Sequence, residues 1–338
     1  MRETHGQEAD GTAVCRLPAG SYFRRSTAGG CLALLLVITI TTGAAQESQP
    51  LGPQPAAPQE PITPVPPPPP ADPLKLALGE QLFADPRLSH DGTLTCSFCH
   101  DVHSNGADSK RLRTARDGSV MTFNIPTVFN AALSFRLNWE GNVRTLEDQS
   151  ESSLENAANL ATNANEVLKK LDADPEMVRQ FSQAYGGPPD RTSLLDAIAT
   201  FERSLLTPGS RFDRWLSGDF VALSPEEQEG YQLFKSLGCV SCHQGVNIGG
   251  NLFERQGIFH PLASPPPEIV RVPSLRNVAT TPPYFHDGSA PTLEEAVRRM
   301  GNAQLDQTLS DAQIKAIVAF LDTLTGTYRG APVTAASP

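Results

Sequence analysis

Two C-x-x-C-H pentapeptides are the residues whose types and spacing point most clearly to chemistry in this sequence. The first is CSFCH at residues 96–100, and the second is CVSCH at residues 239–243. The chain has six cysteines, and the two outside these motifs, Cys15 and Cys31, precede both of them. A histidine directly behind each pair of thiols narrows the chemistry that the pair can perform.

Three kinds of thiol chemistry leave that histidine unexplained or need a different setting. Disulfides suit an exported protein, and four thiolates could hold zinc, but neither gives a reason for His100 or His243. A thioredoxin-like dithiol would need a βαβ setting, which neither flank suggests. C-x-x-C-H is the attachment pattern of c-type haem, in which two thioethers fix the porphyrin and the histidine ligates the iron. Two covalent haem c groups are therefore expected, held by Cys96, Cys99 and His100 and by Cys239, Cys242 and His243.

The segments around the two motifs repeat one another. IPTVFNAALSFRLNWEGNVRTLED from Ile125 aligns without a gap with VPSLRNVATTPPYFHDGSAPTLEE from Val272, at a constant offset of 147 residues. LGEQLF and EGYQLF precede the two haem motifs in the same way. A period this long is not that of a solenoid and predicts two related one-haem domains.

Two positions of the repeat differ in chemistry. Trp139 in the first half corresponds to His286, and Ser153 corresponds to Met300. Most methionines pack in cores, but a thioether sulfur is also a good axial ligand that raises the potential of the iron. The position of Met300 favours ligation, so we expect a six-coordinate haem there and an open first haem that can bind peroxide.

The elements that must position these residues are expected to be helical. LLDAIATFERSLL and SDAQIKAIVAFLDTLTG have apolar residues at helical spacing, and Gly326 supplies a stop. The expected fold is mainly α, with two tandem cytochrome c-like domains. Residues 74–215 form the first domain and residues 216–330 the second, followed by a disordered tail over residues 331–338.

The first 73 residues are expected to lie outside both domains. A basic stretch, the apolar run CLALLLVITI and small residues up to Ala45 are typical of a secretory signal peptide over residues 1–45. The run is shorter than the roughly 20 residues of a membrane span, so an uncleaved anchor is the less favoured alternative. Residues 46–73 are so rich in proline that we expect a disordered linker. A net charge of −10 argues against nucleic acid as a partner and is compatible with a basic electron donor.

Several longer segments carry a family likeness: LFADPRLSHDGTLTCSFCH, NIPTVFNAAL, AIATFERSLLTPGSRFDRW, PYFHDGS and TLEEAVRRMG. Together they resemble the bacterial dihaem cytochrome c peroxidases, which include the MauG-type enzymes, from about Leu74 to Gly326. The resemblance implies a periplasmic enzyme that reduces hydrogen peroxide to water with electrons from a small cytochrome c or cupredoxin. Electrons would enter at the haem of His243 and Met300 and pass to the peroxidatic haem on His100. Family members often form homodimers, and a homodimer is expected here.

The resemblance also implies two features between the haems. Trp139 corresponds to the tryptophan that lies between them. Asn124 and the backbone oxygens of Thr281 and Pro283 correspond to a calcium site, and oxygen ligands of this kind suit calcium.

Other positions depart from the family pattern. Arg116 stands where many members carry a histidine that caps the resting iron, and Asn159 stands where the catalytic glutamate is expected, whereas Gln149 is retained. Cleavage of peroxide needs a group that moves a proton and a donor that steadies the leaving charge. The candidate catalytic residues are Gln149, Arg116, Glu155 and Trp139, with Glu147 as a second carboxylate. His103 and Met121 are less favoured as a sixth ligand of the first haem, and His286 is expected to be structural.

Two other functions stay open. A MauG-like oxidase would use two haems joined through Trp139 to take electrons from another protein or a small molecule. Those members use tyrosine on the second haem, so Met300 argues against close kinship. A plain electron carrier, with the loss of the distal glutamate marking a dead active site, is the third function.

Overall fold

The computed structural model describes residues 60–263 and 267–336. The expected signal peptide and residues 46–59 of the expected linker lie outside the described residues. The described residues belong to one compact unit. None of their helices has both the length and the apolar character needed to cross a bilayer.

The described chain is mainly helical, as expected. The α-helices are α1 (Pro73–Phe83), α2 (Cys96–Cys99), α3 (Leu146–Glu155), α4 (Ala164–Asp172), α5 (Pro175–Tyr185), α6 (Arg191–Ser204), α7 (Arg211–Leu216), α8 (Pro225–Ser236), α9 (Leu293–Leu305) and α10 (Asp311–Asp322). The strands are β1 (Phe253–Arg255) with β2 (Ile269–Arg271), and β3 (Thr327–Tyr328) with β4 (Ala331–Pro332), each pair antiparallel. Short 3-10 helices cover Pro86–Leu88, Ala131–Leu133, Cys239–Ser241 and Val278–Thr280.

Side chains that accept from the first free N–H groups start most of these helices. Thr145 caps α3 and Thr292 caps α9. Asp190 with Ser193 forms a capping box at α6, and boxes of the same kind begin α8 and α10. Local residues therefore fix where the helices that line the haem cavity begin.

Two glycines allow two helix pairs to pack with their backbones in contact. A Cβ placed at Gly79 of α1 would collide with the carbonyl of Ala197 in α6. In the same way, a Cβ at Gly230 of α8 would collide with the carbonyl of Ala316 in α10. The pairs α1–α6 and α8–α10 are the closest helix packings of their respective halves, and each carries part of a separate apolar core.

Two asparagines meet at the junction between the halves. Asn130 and Asn277 both adopt a left-handed backbone with φ of 60°. The side-chain amide of each donates to Oγ1 of Thr207, across 2.7 Å and 3.0 Å respectively. One buried hydroxyl therefore joins the corresponding turns of the two segments that follow the haem motifs.

The C-terminal end of the expected linker differs from the prediction. Ile62 is 2% exposed and packs in the core of the second half. The carboxylate of Glu60 accepts a hydrogen bond of 2.5 Å from the hydroxyl of Tyr231. Prolines stiffen the unfolded segment, so little entropy is lost when it docks. The prediction of disorder is therefore wrong for residues 60–65, which form a strap on the second half, whereas residues 66–72 are exposed.

Two predicted domain limits also differ from the structure. Phe212 of α7 is fully buried in the core of the second half, although the predicted first domain extends to residue 215. Val333, in the tail predicted to be disordered, is 5% exposed and packs with Phe129 of the first half. Its neighbouring strand β4 pairs with β3. Residues 331–333 are therefore ordered, and residues 337–338 lie outside the described residues.

Candidate functional site

The first C-x-x-C-H motif forms a short helix that ends at its histidine. Thr95 caps this helix by accepting from the N–H of Phe98 at 3.0 Å. Nδ1 of His100 lies 3.2 Å from the carbonyl oxygen of Gly106. A carbonyl oxygen only accepts, so Nδ1 carries the proton and Nε2 keeps its lone pair for a metal. Burial lowers the pKa of His100, which favours the neutral form that ligation needs.

The second motif holds its histidine in the same way. Nδ1 of His243 lies 3.2 Å from the carbonyl oxygen of Ile248. Burial lowers the pKa of His243 to about 4. The thiols of both motifs are free, and burial raises the pKa of Cys96 to about 12 and that of Cys239 to about 11. Among the described residues no three metal-binding side chains cluster as a zinc site requires, so two thiols beside a neutral imidazole suit thioether attachment of a haem better.

One cavity reaches both motifs. Its volume is about 1350 Å³, and its walls include all four motif cysteines, His100 and His243. Pockets for single ligands usually measure about 300–1,000 Å³, so this space suits two large groups better than one. The residues present therefore fit two haems.

The part of the cavity wall that α9 and α10 form is apolar and contains the predicted sulfur ligand. Met300 of α9 lines the cavity, and so do Ala296 and Val297 from the preceding turn and Leu321 of α10. A neutral thioether among aliphatic side chains fits an axial ligand of a haem iron. Ligation by Met300 remains a prediction.

The corresponding wall of the first half is polar. Gln149, Ser150 and Ser153 of α3 line the cavity. Nε2 of Gln149 donates to Oγ of Ser153 at 2.9 Å. Asn159, which stands in the place expected for the family glutamate, also lines this end of the cavity.

Arg116 lines the cavity but is held by a carboxylate. Its Nε donates to Oδ2 of Asp91 at 3.1 Å, and its side chain is 30% exposed. Met121 lines the cavity from the same loop, while His103 is exposed. Of these three residues, Arg116 is the one that brings a charged side chain to the cavity wall.

The structure does not bring the two proposed carboxylates to the cavity wall. Glu155 is exposed and lines a separate surface groove beside Asp148 and Glu151. Residues two apart on a helix do not share a face, so Glu155 points away when Ser153 points in. Glu147 is paired instead with Arg203.

Trp139 is fixed between the two halves. Its Nε1 donates to the main-chain oxygen of Asn124 at 2.8 Å, and its own carbonyl accepts from the N–H of Arg271 at 2.8 Å. Its ring meets the edge of the His286 ring, with centroids 6.4 Å apart. His286 is 1% exposed and its carbonyl accepts from the N–H of Asn124, which fits the structural role expected for it.

The three residues predicted to bind calcium all belong to the cavity wall. Asn124, Thr281 and Pro283 all line the cavity. Both amide hydrogens of Asn124 are used, since its Nδ2 donates to the carbonyls of Lys110 and Arg111 at 3.0 Å and 3.1 Å. The side-chain oxygen is thereby presented as an acceptor, as calcium requires. Calcium binding remains a prediction.

Glu202 is the cavity residue that the sequence analysis missed. It lies on α6, is 7% exposed and lines the cavity. A signal was available, because Glu202 continues the apolar face that includes Leu194, Leu195 and Ile198. An acid on a buried helix face is costly and calls for a reason.

Comparison with known proteins agrees with this geometry. The chain matches the family described as Di-haem cytochrome c peroxidase over residues 73–220 and the family described as Cytochrome c over residues 227–325. It is 38% identical over 267 residues to the cytochrome c551 peroxidase of Nitrosomonas europaea, covering 74% of this chain and 79% of that protein. It is 36% identical over 269 residues to the cytochrome c551 peroxidase of Pseudomonas aeruginosa, with coverage of 74% and 78%.

A solved structure shares the fold. A MauG-like protein associated with microbial copper homeostasis superposes with a TM-score of 0.69 at 28% identity, covering 78% of this chain and 93% of that one. The family matches include both haem motifs, and the relatives are aligned over most of their length. The chain therefore belongs to the bacterial di-haem cytochrome c peroxidase family and is an oxidoreductase of that type.

Proposed function

We propose that this protein reduces hydrogen peroxide to water at a haem on His100, with electrons that enter through a second haem on His243. A small cytochrome c or cupredoxin is the proposed donor. Relatives named cytochrome c551 peroxidases support this reading. The periplasm is the proposed location, reached through the signal peptide over residues 1–45.

One observation carries the proposal: the cavity-lining residues at corresponding positions of α3 and α9 differ in chemistry. Ser153 and Gln149 form one wall, and Met300 and Ala296 stand at the corresponding positions of the other. A serine hydroxyl leaves space for an oxidant, whereas a thioether closes the coordination sphere of an iron. One site is thereby suited to peroxide and the other to electron transfer.

The side chains of the first pocket have separate tasks. The bound haem supplies the iron at which peroxide is held and to which electrons are delivered. Gln149 orients peroxide by hydrogen bonding, and its link to Ser153 fixes its amide. The guanidinium of Arg116 steadies negative charge that develops on the departing oxygen. Trp139, fixed at both its ring and its main chain, provides an aromatic path between the two haems.

Calcium and the domain arrangement complete the proposal. A calcium ion on Asn124, Thr281 and Pro283 would tie the segment that anchors Trp139 to the second half. Two haem domains related by the internal repeat would then hold their metals at a fixed separation. The shared hydroxyl of Thr207 and the matched glycines Gly79 and Gly230 support such a relationship. A homodimer is the proposed assembly.

Rapid mixing of the reduced dihaem protein with peroxide tests this function. With a reduced small cytochrome present, we expect two molecules of donor to be oxidised for each peroxide consumed. Peroxide consumption with slow use of the donor but oxidation of another protein would favour the MauG-like oxidase. If the protein does not react with peroxide, the remaining function is that of an electron carrier.

A further inference from the structure

Glu202 is a buried acid whose surroundings differ from those of its counterpart in the second half. Gly79 packs on Ala197 and Phe201 of α6, and Gly230 packs on Ala316 and Phe320 of α10. Phe201 therefore corresponds to Phe320, and the next residue, Glu202, corresponds to Leu321. Both line the cavity, so a carboxyl replaces an aliphatic side chain at equivalent places.

The side chains around Glu202 are polar, whereas those at the corresponding positions of the second half are apolar. Oγ of Ser150 lies 3.5 Å from Oε2 of Glu202, and either group can donate when the carboxyl is neutral. The repeat aligns Ser150 with Val297, which packs with the apolar core of the second half. Ser150 and Ser153, three residues apart on α3, share one helix face, and Ser153 accepts from Gln149. The first half therefore has four polar side chains where the second has Ala296, Val297, Met300 and Leu321.

The surroundings of this acid favour its neutral form. Burial raises the pKa of Glu202 to about 8, and the carboxylate of Glu147 on α3 raises it further. The hydrogen bond from Ser150 and the charge of Arg203 on the same helix oppose that rise. Cys96 is the remaining titratable neighbour, and thioether formation removes its proton. An acid whose pKa lies near the working pH is well suited to giving and regaining a proton.

We propose that Glu202 is the proton-holding group of the first haem pocket. It takes over proton transfer from the glutamate expected at position 159, where Asn159 has no titratable group. Reduction of one peroxide consumes two electrons and two protons and yields two waters. The electrons come from the donor through the haems. As the O–O bond breaks, the neutral carboxyl of Glu202 gives its proton to the Ser150 hydroxyl, which gives its own proton to the departing oxygen. The second proton comes from solvent, and the carboxylate of Glu202 then regains a proton from solvent. This inference rests on the proposed peroxidase function.

The first test asks whether Glu202 is protonated in the intact dihaem protein. Infrared difference spectra of wild type against Glu202→Gln should show one carboxylic acid C=O band at neutral pH that shifts in heavy water and is missing from the variant. Glu202→Leu introduces the side chain found at the corresponding position of the second half, Leu321. It keeps the site filled if the amide of Glu202→Gln disturbs packing. Absence of the band would overturn the proposal.

The second test measures proton movement without turnover. Hydrogen cyanide must lose its proton to bind an iron as the anion, so its association rate with the first haem should follow the ionisation of Glu202. We expect the rate to rise through the pH range around 8 in wild type, and Glu202→Gln and Glu202→Leu to abolish that rise. Glu202→Asp should restore part of it. Glu151→Gln, on the neighbouring helix α3 and paired with Arg191 at the surface, is the matched control and should leave the profile unchanged.

The two tests separate this inference from the proposed function. Peroxide reduction should fall about 100-fold in Glu202→Gln, as is usual for loss of a general acid. If wild type binds cyanide with the Glu202-dependent profile but does not turn over peroxide, the peroxidase function is wrong and the proton-holding role stands. If the profile is the same in Glu202→Gln and wild type, the role of Glu202 is wrong whatever the turnover.

Discussion

Trp139 donates a hydrogen bond from Nε1 to the main-chain oxygen of Asn124, across 2.8 Å. The main-chain N–H of the same asparagine donates to the carbonyl of His286, and its side-chain oxygen is a proposed calcium ligand. The aromatic group that we propose between the haems and the proposed metal site are thus connected by one residue. A change at the proposed calcium site should therefore affect Trp139, and a change at Trp139 should affect the calcium site.

Removal of calcium should therefore slow electron transfer between the haems. Chelation is expected to lower peroxide turnover, and added calcium should restore it, whereas magnesium should not, because magnesium demands a tighter octahedral shell. Asn124→Ala should abolish the restoration. Turnover that is indifferent to chelation, with no calcium found by metal analysis, would contradict the proposed site.

The close packing of α8 on α10 should not tolerate a methyl group. Gly230→Ala places a Cβ against the carbonyl of Ala316 and should lower the free energy of unfolding by about 1–3 kcal/mol, despite the better helix propensity of alanine. Gly187→Ala is the control, since nothing lies within 4 Å of its Cβ position and its stability should change little. Chemical denaturation of the two variants measures the difference.

The buried ion pair behind the strap should be far more sensitive than a surface pair. Nη1 of Arg276 lies 2.8 Å from Oδ1 of Asp213, with both side chains almost completely buried. Arg276→Met leaves a buried, unpaired carboxylate and should cost about 3–5 kcal/mol. Arg298→Met, which breaks an exposed pair with Asp311, should cost about 0–1 kcal/mol. Similar losses in the two variants, measured by urea unfolding, would rule out the burial argument.

Stability should fall with rising pH because of Glu202. Its pKa is raised to about 8 in the folded protein from an ordinary value of 4.5, so the folded state binds more protons than the unfolded state between these values. The free energy of unfolding therefore decreases as pH rises through this window and levels off above about 8. The lowered pKa values of His100 and His243 give a slope of the opposite sign, which fades only about one pH unit above the ordinary histidine pKa of 6.5, so the slope between about pH 7.5 and 8 isolates the acid. Glu202→Gln should lose the slope, and an unchanged slope would contradict the assignment.

Local sequence signals predicted the parts of the site that are local in the chain. The haem motifs carry their own histidines, and capping residues such as Thr145 and Thr292 mark the helices that face them. Helical periodicity could also have excluded Glu155, because it lies two residues beyond Ser153.

Features that depend on distant contacts were not predictable in this way. Ile62 looked like part of a disordered proline-rich segment, yet it fills a space in a core made by residues far along the chain. The role of Glu202 depends on Ser150, which lies 52 residues earlier and joins it only through packing of α3 on α6.

Titration of the oxidised dihaem protein with cyanide tests the central claim, that one iron is open and the other closed by sulfur, most directly. We expect one cyanide to bind per chain, at the haem on His100, and a second to bind only after Met300→Ala. Met121→Leu should leave the stoichiometry unchanged. Two cyanides bound to wild type, or none, would contradict the claim.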